Sequence, residues 1–302
     1  MKWSIPAKTF LLGEYAAMAG LPAMVLTTTP CFEVSLTKQP GLHGIHQESP
    51  AGCWWMQQDN QGMGLQWYDP YQGVGGMGAS SAQFIGAYLA TQFIQKKIPN
   101  TAHLLEAYFQ CTWFGEGIRP SGYDLLAQLL QGCVYIDKQP DHGKAFAWPF
   151  QDIAFLLLHT GQKLATHEHL QTLVLPSQLP GLMEIVLMAK QAIERVNSQQ
   201  MIDAVNAYHQ QLTEMKLVAG HSLMHLDSFK QEADILAAKG CGALGADVLL
   251  LLVSVKREAR LRLHLQTLGW KILAGSTNLY CARSIYAGPA LSDGKGLGKG
   301  SD

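Results

Sequence analysis

Pro6-Ala7-Lys8-Thr9-Phe10-Leu11-Leu12-Gly13-Glu14-Tyr15-Ala16-Ala17-Met18-Ala19-Gly20-Leu21-Pro22-Ala23 is the stretch on which the reading of this chain turns. Short apolar runs alternate in it with turn residues. Phe10-Leu11-Leu12 stops at Gly13, small residues follow, and Ala23-Met24-Val25-Leu26 resumes behind Pro22. Further on, Phe32-Glu33-Val34-Ser35-Leu36 alternates with the period of two of a half-buried strand. Gly41 to Tyr71, rich in Gly, Gln and Trp and only weakly periodic, reads as hairpins or a substrate-facing flap.

A glycine cluster follows, Gly73-Val74-Gly75-Gly76-Met77-Gly78-Ala79-Ser80-Ser81-Ala82, feeding a helical pattern from Ala82 to Ala90. Small residues let a backbone approach a ligand closely, and the free N–H groups of a helix N-terminus favour phosphate. Ser80 and Ser81 suit the cap of that helix, and a hydroxyl there can also reach a magnesium ion or a phosphate oxygen. The same residues equally describe a flexible turn with an ordinary serine cap. Neither a GxxxxGK[ST] loop nor a strand-borne GxGxxG occurs. Helical spacing recurs at 102–114, 123–131, 182–197, 201–215, 223–239 and 258–268. Strand patterns fall at 133–136, 155–160, 248–253 and 270–273, and a second glycine cluster runs from Gly240 to Gly245. Strands and helices mix without a strict βαβ beat, which predicts an α+β fold.

The 302 residues suit two domains, near 1–150 and 151–290, with a Gly/Lys/Ser-rich tail at 291–302 that reads as disordered. A hydrophobic share of 48% against 15% charged excludes disorder as the main state. The net charge of -1 and the lack of an arginine-rich stripe exclude nucleic acid as a first-choice partner. So few charges leave apolar surface for a second subunit, and a homodimer is expected. The six cysteines form no CxxC pair, and Met1 to Pro6 lacks an apolar leader. The longest apolar run, Val248 to Val253, falls far short of the roughly 20 residues a membrane-spanning helix needs. The expectation is a cytoplasmic protein with reduced thiols and no membrane partner.

Three segments carry a resemblance. Pro6 to Ala23 closely resembles the first motif of the GHMP small-molecule kinases, P-G-K-x-x-L-x-G-E-[HY]-x-V-x-x-G-x-P-A. Gly76 to Ala82 is similar to the second, G-L-[GAS]-S-S-A, and Lys239 to Asp247 to the third, K-x-S-G-A-G-G-G-D. Pro120-Ser121-Gly122-Tyr123-Asp124 is similar to the S-G-x-D segment of the family's mevalonate-pathway branch. The resemblance implies the two-domain α+β GHMP fold, with ATP, Mg²⁺ and a small-molecule substrate meeting in the interdomain cleft. It implies Asp124 as catalytic base and Lys8 as its electrostatic partner, nucleotide contacts from Gly76, Gly78, Ala79, Ser80 and Ser81, and Ser81 as a magnesium ligand. Substrate contacts are implied for Glu14, Ser121, Gly122, Gly242 and Ala243. The chemistry is coherent: an aspartate in a helix's first turn stays ionised, and a lysine beside it lowers the pKa of an acceptor hydroxyl.

Within the mevalonate (isoprenoid) branch, Glu14-Tyr15 and the closing Asp247 lean towards phosphomevalonate kinase. Trp113 stands where mevalonate kinases usually carry a magnesium-binding glutamate, and Glu116 is out of register. Pro-Ser-Gly ahead of Tyr123-Asp124 leans back towards mevalonate kinase. A phosphorylated acceptor needs a cation, for which Arg119 is the candidate, with a solvated loop arginine as the alternative. Ala7, Leu244 and Ala246 replace glycines of the motifs, and the second motif is one residue longer than the common form. If the two positions in the third motif need positive φ, each side chain costs about 1 kcal/mol or more. That erosion supports a rival reading, a non-catalytic protein that keeps the fold to bind a metabolite.

Other groups are read as structural. His221 and His225 stand at i, i+4 but have no third ligand, His167-Glu168-His169 is a polar loop or a helix start, and Cys241 is a small filler. Tyr286-Ala287-Gly288-Pro289 echoes a segment of a decarboxylase relative, with Tyr286 where that enzyme has aspartate.

Overall fold

A computed structural model describes residues 1–137, 143–162, 179–245 and 247–281, leaving His167 to His169, Ala246, Tyr286 to Pro289 and the 291–302 tail outside. Two sheets carry the chain. The first has six strands, β1 (Lys2–Leu12), β2 (Ala23–Thr37), β3 (Gly41–His43), β4 (Gly64–Tyr68), β5 (Cys133–Ile136) and β6 (Lys144–Phe146). Its axis is β2, antiparallel to β1 from Lys2↔Ser35 to Leu12↔Met24. On its other edge β2 pairs with β4 through Glu33 to Thr37 and with β5 through Ala23 to Leu26. Helices α1 (Pro50–Met56), α2 (Ala79–Ile94), α3 (Thr101–Thr112) and α4 (Tyr123–Leu130) belong to this half.

The second sheet is antiparallel, ordered β10 (Lys271–Gly275), β7 (Ile153–His159), β9 (Val248–Ser254), β8 (Ile235–Cys241). Its helices are α5 (Leu179–Arg195), α6 (Ser198–Glu214), α7 (Gly220–Phe229) and α8 (Glu258–Thr267). Both faces of β9 are covered, which is why its apolar run does not alternate. Val248, Leu250 and Leu252 join a core that runs through both halves from Trp3 to Ala274. Leu249, Leu251 and Val253 pack instead with Leu226 and Phe229 of α7 and Leu261 and Leu265 of α8. Among the described residues, no helix is long and apolar enough to cross a membrane.

Two expectations are corrected. The stretch 223–239 is not one helix: α7 stops at Phe229, and Ile235 to Cys241 forms an edge strand on β9. Ala237, Ala238 and Gly240 have no large side chains to resist either state, and pairing with β9 decides. Gly41 to Tyr71 is not a flap. It holds α1, where Ser49 Oγ accepts from Gly52 N at 3.1 Å and Pro50 takes the first helical position. Trp54 and Trp55 are buried, and the Trp54 indole N–H donates to Thr91 Oγ1 at 3.2 Å.

The halves are sewn together at the middle of β2. Thr28 bridges to Leu279, and Tyr280 N donates to Thr27 O at 2.8 Å.

Candidate active site

Strand β1, the glycine turn ahead of α2 and the first turn of α4 meet at one place. Lys8 lies on β1 with its backbone N–H donating to Met77 O at 2.9 Å, so the strand is tied to the turn. The Lys8 side chain is buried, and its Nζ sits 2.8 Å from Asp124 Oδ2. Asp124, 37% exposed at its side chain, keeps a face towards solvent. It lies in the first turn of α4, behind the N-cap Gly122, whose φ of 74° suits glycine, and a Cβ on Gly122 would meet Leu105 Cδ2 at 3.0 Å. Ser121 Oγ accepts from Tyr123 N at 3.2 Å, which shapes the same turn. Burial, reinforced by the Asp124 charge, pushes the Tyr108 phenol far above its usual range, so a neutral hydroxyl borders the pair.

The turn itself is built close. Gly76 and Gly78 have φ near +80°. A Cβ on Gly78 would lie 2.6 Å from Lys8 Cγ, so only a glycine lets the loop pass over the lysine. A Cβ on Gly76 would meet Val248 Cγ2 at 2.7 Å, and one on Gly75 would meet Asp247 Oδ2 at 2.9 Å. The turn therefore rests on the end of the third motif, from the other half of the chain. Neither expected serine caps α2: Gly78, in left-handed conformation, holds the N-cap position. Ser81 is buried and donates its hydroxyl to Gly78 O at 3.0 Å. Ser80, exposed in the first helical turn beside Ala79, presents the accessible hydroxyl.

The site fits a magnesium nucleotide through its donors. Among the described residues no cluster of three or more His, Cys, Asp or Glu could hold a metal alone. Magnesium on a nucleotide needs no such cluster, because phosphate oxygens and water fill most of its shell beside one carboxylate or hydroxyl. Asp124 and Ser80 supply those groups, whereas Ser81, the expected magnesium ligand, is buried with its hydroxyl on Gly78 O, and the helix N-terminus supplies N–H groups for phosphate.

Glu14, expected at the substrate, is instead buried at the joint between the halves. Its Oε1 accepts from Lys239 Nζ at 2.5 Å, and Lys239 is fully buried. Its carbonyl accepts from the Tyr208 hydroxyl at 2.8 Å, and its Oε2 is buried with no hydrogen-bond partner. Burial pushes the Glu14 carboxyl up, against the lowering field of Lys239. Tyr15, next in sequence, accepts at its hydroxyl from Leu244 N at 2.7 Å. Leu244 has φ 52°, so the leucine does occupy a left-handed position that suits glycine. Gly242, with φ 85°, has open space where a side chain would be, and Ala243 begins the short 3₁₀ turn to Gly245.

Arg119 is exposed and stacks over the Phe109 ring, 3.8 Å from its centroid, with Trp113 5.9 Å away. Trp113 thus braces the arginine. Cys241 is buried, and its thiol is pushed up to about 11, as suits a filler. His225 packs edge-on to Trp270, 4.9 Å between centroids, and His221 lies 6.5 Å from His225. One participant escaped the sequence reading: Gln128, fully buried on α4, donates from Nε2 to Pro6 O and to Gly78 O. Its signal was a lone amide four residues after Asp124 in an otherwise apolar helix.

No protein-family model matches the sequence, and a search of curated proteins gives no match. Solved structures do match. The chain is similar to Methanococcus jannaschii mevalonate kinase at 14% identity, covering 93% of this chain and 98% of that one with a TM-score of 0.72. It is similar to Streptococcus pneumoniae phosphomevalonate kinase in complex with phosphomevalonate and AMPPNP at 15% identity, over 91% and 99% of the two chains, with a TM-score of 0.74. Lactococcus lactis galactokinase complexed with galactose follows at 10% identity, over 90% and 92%, with a TM-score of 0.68. From the glycine turn seated on the third motif to the pairing of Lys8 with Asp124, the residues therefore stand on the fold of the GHMP kinases, and that fold is this chain's own.

Proposed function

We propose that this chain is an ATP-dependent kinase of small molecules in the mevalonate pathway, acting on phosphomevalonate first and mevalonate second. The observation that carries the reading is the 2.8 Å pairing of Lys8 with a part-exposed Asp124 beside a glycine turn at a helix N-terminus. ATP and acceptor would meet between the halves, near 1–150 and 151–290. Asp124 accepts the proton of the acceptor hydroxyl as its oxygen bonds to the γ-phosphorus and the bond to the ADP oxygen breaks. Lys8 holds that carboxylate in place and offsets the charge that gathers on the transferring group. Gly76 to Ser81 hold the phosphates, and bound Mg²⁺ supplies charge neutralisation. Arg119, held flat by Phe109, is the cation suited to a phosphate on the acceptor.

A non-catalytic, metabolite-binding protein is the second reading, favoured by one observation. The Leu244 N–H is taken by Tyr15 and the Leu244 carbonyl by Ala219 N at 2.7 Å, so this part of the third motif spends its backbone groups inside the protein.

ADP release from Mg·ATP with phosphomevalonate, mevalonate or no acceptor separates the two. Turnover with one acceptor is expected, and Asp124→Asn is expected to lower it by about 10²–10⁴-fold with unchanged thermal unfolding. Near-normal turnover in that variant overturns the role of Asp124. No turnover and no Mg·ATP binding by the natural chain overturns the kinase reading.

A further inference from the structure

Gln128 sits one helical turn after Asp124 on α4 and is fully buried. Its Nε2 donates to Pro6 O at 2.8 Å and to Gly78 O at 3.2 Å. The first acceptor lies on β1 two residues before Lys8, and the second is the carbonyl at the N-cap of α2. Gly78 O also receives Ala82 N and Ser81 Oγ, both at 3.0 Å, so three donors converge on it. The amide's orientation is dictated by these neighbours: turned over, its oxygen would face two carbonyl oxygens. A Cβ on Gly78 would lie 2.6 Å from Lys8 Cγ and 3.3 Å from Gln128 Nε2, so turn, lysine and amide share one small volume.

Apolar side chains fill the buried positions around Gln128 on α4, and another at this position would bury no amide, at the loss of the donor to Pro6 O. The fold instead keeps an amide whose Oε1 is buried with no hydrogen-bond partner. Such a cost is retained where a donor is needed, and the Nε2 contacts show where.

We infer that Gln128 is a positioning residue for phosphotransfer, locking the glycine turn to the strand that carries Lys8 from the same helix that carries Asp124. It touches neither substrate nor reacting atoms. Its amide fixes where the N-terminus of α2 points, and with it the N–H groups that would hold the phosphates. The inference rests on the kinase reading for its consequence in turnover, but the anchoring itself does not depend on a nucleotide.

Gln128→Met keeps shape and removes the donor, whereas Gln128→Glu sets a carboxylate against two carbonyl oxygens. Hydrogen exchange of the peptide covering 73–82, measured without nucleotide, is expected to quicken by about tenfold in Gln128→Met and further in Gln128→Glu. The KM for ATP is expected to rise by about tenfold in Gln128→Met, with the KM for the acceptor unchanged. Natural exchange and natural ATP KM in a folded Gln128→Met protein would overturn the inference. So would loss of cooperative unfolding in Gln128→Met, which would make Gln128 a general element of the core. If the natural chain binds no Mg·ATP, the kinase reading and the positioning role in turnover fall together. The exchange comparison then still decides whether Gln128 anchors the turn.

Discussion

Removing the Lys239 amine by Lys239→Met leaves Glu14 in a cavity built for a pair. Charges about 3 Å apart attract by roughly 5–6 kcal/mol at an effective dielectric constant of 20, which offsets much of the cost of burying both. Without the lysine, Glu14 Oε1 loses its side-chain donor, and Oε2 has no hydrogen-bond partner even in the intact protein. The carboxyl escapes by taking a proton. At pH 7 that costs about 3.4 kcal/mol for a group whose ordinary pKa is 4.5, at roughly 1.4 kcal/mol per unit. The expected loss of stability is therefore about 3–4 kcal/mol at neutral pH, in line with the 3–5 typical of truncating one member of a buried pair. In thermal unfolding of a 302-residue chain that is a drop of about 5–6 °C.

The pH dependence has a definite sign. A carboxyl whose folded pKa lies above its unfolded 4.5 contributes stability that is fully present below 4.5 and is lost as the pH rises through the folded value. Lys239 lowers the natural carboxyl's folded value relative to the variant's, so the deficit of Lys239→Met against the natural chain should shrink as the pH falls from about 7 towards 5, by at most about 1.4 kcal/mol per unit. Adding Glu14→Met should restore most of the stability at pH 7, since an apolar pair of similar volume needs no proton. A variant as stable as the natural chain at pH 7, or a deficit that does not change with pH, would refute the account of the joint.

Two further perturbations address the loops. Leu244→Gly removes a side chain from φ 52°; relief of about 1–2 kcal/mol, less about 0.5–1 for glycine's unfolded freedom, should leave the melting temperature level or slightly higher, with tighter Mg·ATP binding. A fall of several degrees would show that the leucine is a needed packing group. Gly78→Ala, with φ 81° and a Cβ 2.6 Å from Lys8 Cγ, should cost about 1–3 kcal/mol and displace the lysine from Asp124. Calorimetry and turnover would show both losses, and natural activity in that variant would refute the close packing of turn on lysine.

How much of this was legible in the sequence depends on what each residue answers to. The glycine turn was readable because backbone conformation at a helix start leaves local marks, whereas Lys8 and Asp124 were readable only through the resemblance of their segments to family motifs. Helix α1 was also marked, by Ser49-Pro50 at its start, but the weak periodicity around it hid the signal. The strand at Ile235 to Cys241 was not legible, because its state is set by β9, a partner whose pairing no local pattern announces. Glu14 illustrates the same limit. Its motif pointed to the substrate, yet its partner Lys239 lies 225 residues away, and only the fold brings them together. Gln128 left one faint mark, an amide among leucines, with no way to tell which carbonyls it would reach.

The bridge from Thr28 to Leu279 bears on the order in which the molecule comes into being. A ribosome delivers β1 and β2 early, but the middle of β2 waits for a partner synthesised some 250 residues later, as the separation of 249 between Thr29 and Asn278 records. Until then that section of strand leaves hydrogen-bonding groups without their native partners, and the first half emerges as an unfinished body. Completion is thus a terminal event that closes both halves at once. A chain cut short before Leu279 would forfeit not only its last strand contacts but also the finished form of the strand laid down first.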